Sequence, residues 1–187
     1  LGSRIASAMV LLLTAFRTAW PAFAYSIEDE REARRTYGFV LTYLLLVATW
    51  VALALGLLAP WIVRLLATPS FYGASRVVAL LAFAAAALGG YIVIAIGVGR
   101  ARRTQFNWVV TGAAAVVNVA LNLILIPPYG MMGAAVATVA AYVLMFAAMA
   151  WWAQRVYPVP YQWRRVATLA SAGVALYALG KGLEVDL

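Results

Sequence analysis

Few residues in this chain could do chemistry. Its 187 residues include no histidine and no cysteine. That removes the usual neutral-pH proton carrier, the thiolate nucleophile and the common nitrogen and sulfur metal ligands. The six acidic residues are Glu28, Asp29, Glu30 and Glu32 in one cluster, then Glu184 and Asp186 near the end. No carboxylate pair is set up for acid–base work, and no Ser/His/Asp set, H-E-x-x-H, phosphate-binding loop or dinucleotide motif occurs. The expectation is a protein that is not an enzyme and has no cofactor or metal site.

The polar residues that lie within apolar stretches are the remaining candidates. Asn107, Thr111, Ala114, Asn118 and Asn122 follow spacings of 4, 3, 4 and 4. At about 100° per residue they fall within roughly an 80° arc of a helix. An asparagine in hydrocarbon is costly unless its amide is hydrogen-bonded. The stripe should therefore face other helices, as interhelical glue, or a wet cavity; the two are compatible. Arg17 is the one charge inside an apolar stretch, eight residues before Tyr25 and so about 12 Å from that end. Either it snorkels to the interface, or it forms an anion site in a cavity, as intramembrane arginines often mark substrate paths. Pro21, one turn later, predicts a kink beside that charge.

The elements that carry these residues are apolar helices. Hydrophobic residues make up 66% of the chain and charged residues 11%, with a mean hydropathy of +0.93. A soluble domain usually carries about 25% charged residues. Here long uncharged stretches alternate with short charged clusters, as spans alternate with loops. The pattern predicts an all-α polytopic membrane protein, a single transmembrane domain over residues 1–187 with about six spans. They are expected at 5–25, 37–60, 77–99, 106–126, 131–152 and 164–181. Pro60 is expected to end the second. Pro127-Pro128-Tyr129-Gly130 should divide an uncharged run too long for one crossing into a tight antiparallel hairpin. After that break, Gly130, Ala134 and Thr138 repeat at four, as do Gly133, Ala137 and Ala141, a spacing that lets helix backbones approach closely. Gly89-Gly90 serves packing or a bend.

The net charge of +8 comes mostly from arginines clustered beside apolar stretches. They read as topology signals or contacts to anionic lipid rather than as a nucleic-acid surface. Arg31, Arg34, Arg35, Arg100, Arg102, Arg103, Arg155, Arg164 and Arg165 fall on one side; Arg4, Arg64, Arg76 and Lys181 fall on the other. The positive-inside rule then makes loops 26–36, 99–105 and 153–165 cytoplasmic, in a multi-pass protein of the cell membrane. Links 64–76 and 127–130 are expected outside. The opening Leu1-Gly2-Ser3-Arg4 has neither Met nor a leader pattern, and reads as part of something longer.

Several of these stretches resemble a known pattern. The stretch Gly97-Val-Gly-Arg-Ala-Arg-Arg-Thr104 is followed by Asn118-Val-Ala-Leu-Asn122-Leu-Ile-Leu-Ile-Pro127, by Tyr129-Gly130, and by Gly133-Ala-Ala-Val-Ala-Thr138. Together they resemble the C-terminal half of polysaccharide-biosynthesis flippases, exporters of lipid-linked oligosaccharide for lipopolysaccharide or exopolysaccharide. These belong to the MOP superfamily, which also holds the MATE multidrug exporters. Ala19-Trp-Pro-Ala-Phe-Ala-Tyr25 and Tyr157-Pro-Val-Pro-Tyr-Gln-Trp163 fit the same pattern. The resemblance covers nearly the whole chain, most strongly residues 97–163.

The resemblance implies two helical lobes around a central cavity, working by alternating access. This chain would supply most of the second lobe, from the eighth to the thirteenth of fourteen spans, and would need the missing N-terminal lobe as partner. The substrate would be a polyprenyl-diphosphate-linked oligosaccharide. Arg17 is then the best candidate to contact a diphosphate or acidic sugar. Asn118 and Asn122 are further substrate-binding candidates, though holding the lobe together suits them better. Arg100, Arg102 and Arg103 would attract anionic headgroups or, preferably, set topology. A MATE-type drug exporter is the alternative within the fold. A membrane-embedded polyprenyl glycosyltransferase or acyltransferase would need a catalytic Asp or His, and a non-transporting scaffold is a third class.

Overall fold

A computed structural model describes residues 2–66, 72–73 and 75–185. Residues 67–71 and 74 of the expected link 64–76 lie outside them, as do the side chains of Arg4, Arg76 and Lys181. The described chain is all helical, with no strand. Helix α1 spans Gly2–Ser26, α2 Glu30–Leu66, α3 Ser75–Arg100, α4 Gln105–Val156 and α5 Trp163–Val185. Three of these, α2, α3 and α4, are long and apolar enough to cross a membrane.

Two boundaries differ from expectation. The first loop is shorter than 26–36, because α2 starts at Glu30. Asp29 caps it: its carboxylate accepts the Glu32 N–H at 2.7 Å, and its carbonyl accepts the Ala33 N–H at 2.9 Å. Charged residues 30–35 thus form α2's first turns. At its other end α2 continues through Pro60 to Leu66. Proline at 60 removes the donor that would bond the carbonyl of Gly56. Membrane helices tolerate this where neighbours enclose the bend, and here Gly56 lies against Ala79 of α3 and the ring of Tyr177 of α5.

Helix α4 is two arms. Its 52 residues include one non-helical residue, Gly130, at φ 54° and ψ −129°. Glycine alone adopts that positive φ without steric cost, and it follows two prolines that cannot donate to the helix ladder. The chain folds back at this point. Phe106 stacks on Trp152 with ring centroids 4.1 Å apart, whereas a straight helix would separate them by about 69 Å. Near the bend, a β-carbon on Gly133 would run into the carbonyl of Leu125. Gly130 permits the reversal, and Gly133 permits the arms to meet.

The directions of the helices alternate. Gly56 of α2 meets Ala79 of α3, while Tyr37 of α2 bonds Arg100 of α3, so this pair is antiparallel. Tyr91 of α3 reaches Thr111 of the first α4 arm, and Phe146 of the second arm fills the space over Gly90. Gly90 is therefore a packing site. Helix α5 runs parallel to α2, with Gly173 on Thr49 and Gly180 on Leu57. Links 27–29, 101–104 and 157–162 consequently gather at one end of the bundle.

The packing face of the second arm repeats at four. Gly133, Ala137, Ala141, Met145, Met149 and Ala153 are all buried, forming one i±4 ridge. Gly130, Ala134 and Thr138, the other small-residue series, lie outside this ridge. The larger core sits at the linked end, around Tyr37, Leu41, Ile94, Val98, Met149 and Tyr157. The first arm contributes only Val110 and Ala114 to the buried set. Its Trp108, Val116, Val119, Leu123 and Ile124 stay exposed.

The hairpin makes a testable demand on Gly133. Gly133→Val should destabilise the folded protein by about 1–3 kcal/mol or more, the usual cost of overpacking. Gly112→Ala, where a β-carbon meets open space, should be neutral or slightly stabilising. Thermal unfolding of the two variants in detergent checks this, and equal midpoints would show that the arms do not meet at Gly133.

Candidate functional site

The chain's densest polar cluster lies at the linked end, and Arg100 is its centre. A guanidinium carries five N–H donors in a planar fork, and all five have partners here. Its Nε donates to Glu30 Oε1 at 2.7 Å. One terminal nitrogen donates to the Ala24 carbonyl and the Tyr37 hydroxyl, each at 3.3 Å. The other donates to the carbonyls of Ile27 at 2.7 Å and Glu28 at 3.3 Å. The last turn of a helix leaves carbonyls without intrahelical donors, and a cation is favoured there. Arg100, at the end of α3, thus closes the C-terminus of α1 and the link that follows.

The cluster extends into α2 and the end of α4. Tyr37 is fully buried, and its hydroxyl donates to the Ala24 carbonyl at 2.7 Å while accepting from Arg100. Glu30 Oε2 accepts the Tyr157 hydroxyl at 2.7 Å. Arg34 lies 4.7 Å over the Tyr157 ring and reaches the Pro158 carbonyl at 3.4 Å. Gln154 donates to the Val159 carbonyl at 2.8 Å, fixing the 157–162 link. Burial and then the bond to Glu30 push the Tyr157 phenol up to about 12. Burial pushes the neighbouring Tyr161 phenol higher still. Both tyrosines lie outside the spans and stay neutral at physiological pH; Tyr157 donates to Glu30, whereas the Tyr161 hydroxyl is enclosed without a partner.

This arrangement offers structure rather than reactivity. Every strong donor of Arg100 is consumed by the chain itself, so no N–H is left for a lipid headgroup. Arg102 and Arg103 remain exposed on the 101–104 turn. Among the described residues no group of three His, Cys, Asp or Glu could hold a metal ion.

The residues singled out from sequence stand apart from this cluster. Arg17 has an exposed side chain on α1 and takes no part in it. Asn118 and Asn122 are brought together: the Asn122 amide donates to Asn118 Oδ1 at 3.0 Å. Both are half-buried, and Asn122 Oδ1 is enclosed without a partner. Asn107 Oδ1 is in the same condition. Thr111 bonds back to the Asn107 carbonyl at 2.8 Å and contacts the Tyr91 hydroxyl at 3.3 Å, giving the stripe one link to α3. Ala114 is buried within it.

Sequence reading missed Glu30, Tyr37, Arg100 and Tyr157 as a unit. The available signal was charge: four of the six acids sit in the first link region, and an arginine triplet sits in the next one expected on the same side. Spacing could not select Arg100 from Arg102 and Arg103, because the partners lie 70 and 63 residues away.

Removing Arg100 should be severe. Arg100→Ala leaves carbonyls and Glu30 without their donor, a loss on the order of 3 kcal/mol. Arg100→Lys should rescue little, since an ammonium cannot reproduce the fork. Glu30→Gln should cost only about 1 kcal/mol, because the Glu30 side chain is 54% exposed. Chemical or thermal unfolding in detergent reads these, and Arg100→Lys matching the parent protein would refute the five-bond account. Tyr157 and Tyr161 set the pH window together. The Tyr157 phenol rises from near 10 when unfolded to about 12 here, so its contribution is complete below pH 10 and is lost as pH rises toward 12. Tyr157→Phe should weaken the alkaline dependence and leave the part due to Tyr161.

No family model, curated protein or solved structure matches this chain.

Proposed function

We propose that this chain forms most of the second lobe of a membrane flippase that moves polyprenyl-diphosphate-linked oligosaccharide across the inner membrane by alternating access. Counting the two arms of α4 separately, six helical segments alternate in direction, and in this reading each crosses the bilayer. The linked end, with its arginines, faces the cytoplasm by the positive-inside rule.

One observation carries the reading. The first arm of α4 is apolar and mostly uncovered, yet it holds Asn118 and Asn122, which bond only to each other and leave Asn122 Oδ1 enclosed without a partner. An unpaired buried amide oxygen costs about 1–3 kcal/mol. Water admitted beside it would satisfy it, and a water-filled transport path along the first arm would supply that water. The motif resemblance over residues 97–163 names the cargo class. Arg17, exposed on α1, is the cation proposed to meet the diphosphate.

In the full-length protein, Arg17→Ala should abolish surface polysaccharide while membrane abundance stays normal. Unchanged polysaccharide would remove Arg17 from the path. Asn122→Leu should lower folded yield, as expected of glue between helices. Normal yield with failed export would instead assign the stripe to the cavity.

A further inference from the structure

A second polar feature lies outside the Arg100 cluster and outside the Asn stripe. A cleft of about 380 Å³ lies between α2 and α5, on the side of the linked end. Its walls are apolar and aromatic, made by Phe39, Tyr43 and Leu46 of α2 and Leu169 of α5. Its mouth carries Arg164 and Arg165. From Arg164 to Leu169 the cleft follows α5 for about 8 Å, and from Phe39 to Leu46 it follows α2 for about 10 Å. It is therefore graded along α5, cationic at that helix's start and apolar toward its middle.

Among the described residues no acid balances the charge of Arg164 and Arg165. None of the lining residues is acidic, and both ion pairs among the described residues belong to Glu30. Arg165 donates only to the neutral Gln162 amide oxygen, at 3.0 Å. Helix electrostatics does not explain the placement either, since cations are favoured in a helix's last turn and these occupy the first turn of α5. Two arginines lining one cleft favour an anion bound there.

We infer that the α2–α5 cleft is a binding site for an anionic phospholipid, with its phosphate held by Arg164 and Arg165 and the start of one acyl chain lying along Phe39, Tyr43, Leu46 and Leu169. Basic pockets between membrane helices on the cytoplasmic side suit such headgroups, and each arginine near the surface adds about a fivefold gain in affinity. A zwitterionic lipid such as phosphatidylcholine would fit the walls and offer the same phosphate, but it would bring a quaternary ammonium against the two arginines. A free anion would satisfy the arginines and leave the walls exposed. The inference needs the helices to cross a membrane and is independent of what cargo the protein moves.

The test uses the full-length protein in nanodiscs of equal parts phosphatidylglycerol and phosphatidylcholine, released and weighed by native mass spectrometry. One retained phosphatidylglycerol is expected, in clear excess over phosphatidylcholine. Arg164→Gln with Arg165→Gln should reduce it by roughly tenfold or more. Thr168→Trp, which fills the cleft and keeps both arginines, should reduce it too. Arg102→Gln with Arg103→Gln removes equal charge at the same end and should leave it unchanged. Melting curves confirm that each variant is folded. Equal retention of the two lipids, equal loss in the Arg102/Arg103 variant, no effect of Thr168→Trp, or displacement by millimolar inorganic phosphate would each overturn the inference.

Discussion

A guanidinium that cannot be left partly bonded organises one whole end of this protein. Arg100 is the last residue of α3, and its side chain is only 14% exposed. A buried cation must find acceptors, and the acceptors nearest to it are the carbonyls that α1 cannot satisfy by itself. Satisfying both needs fixes the end of α1 against the end of α3. Tyr37 and Glu30 then draw the start of α2 to the same point, and Tyr157 draws in the end of α4. Helices distant in the chain share one hydrogen-bonded centre, and the larger apolar core has formed directly beside it.

Away from that end, close approach of backbones takes over. Lipid tails are as apolar as the side chains, so packing of small residues has to hold membrane helices together. Ala48, Ala52 and Gly56 on α2 and Ala79, Ala82 and Ala86 on α3 are all buried. Gly90 makes room for Phe146, and Gly173 makes room for Thr49. The α4 hairpin applies the same rule to a reversal: Gly130 permits the turn, and the absence of a side chain at Gly133 lets the arms touch.

These two devices leave two segments poorly covered: among the described residues α5 buries only Gly173, and the first arm of α4 buries only Val110 and Ala114. The first arm of α4 rests on α3 and on its own second arm, and shows large apolar side chains elsewhere. Its asparagines are half-enclosed and incompletely bonded. A bundle complete in itself would be expected to bond them fully. The proposed flippase lobe accounts for that surface as the side that meets its other half.

The sequence by itself determined which segments are helical and apolar, where the hairpin breaks, and which links share an end. Those features follow from local causes: runs of apolar residues, a proline pair before a glycine, and clustered charge. It did not determine that α2 passes through Pro60, because that depended on Gly56 being enclosed by α3 and α5. It also did not separate Arg100 from Arg102 and Arg103. All three sit within four residues and share one charge; only Arg100 points where α1 ends, and Arg102, at φ 54°, turns with Arg103 toward the exterior. The Asn stripe was legible as a stripe, since helical period is local. Its partners were not, because a hydrogen bond between helices depends on how the chain folds back, and only the tertiary structure fixes that.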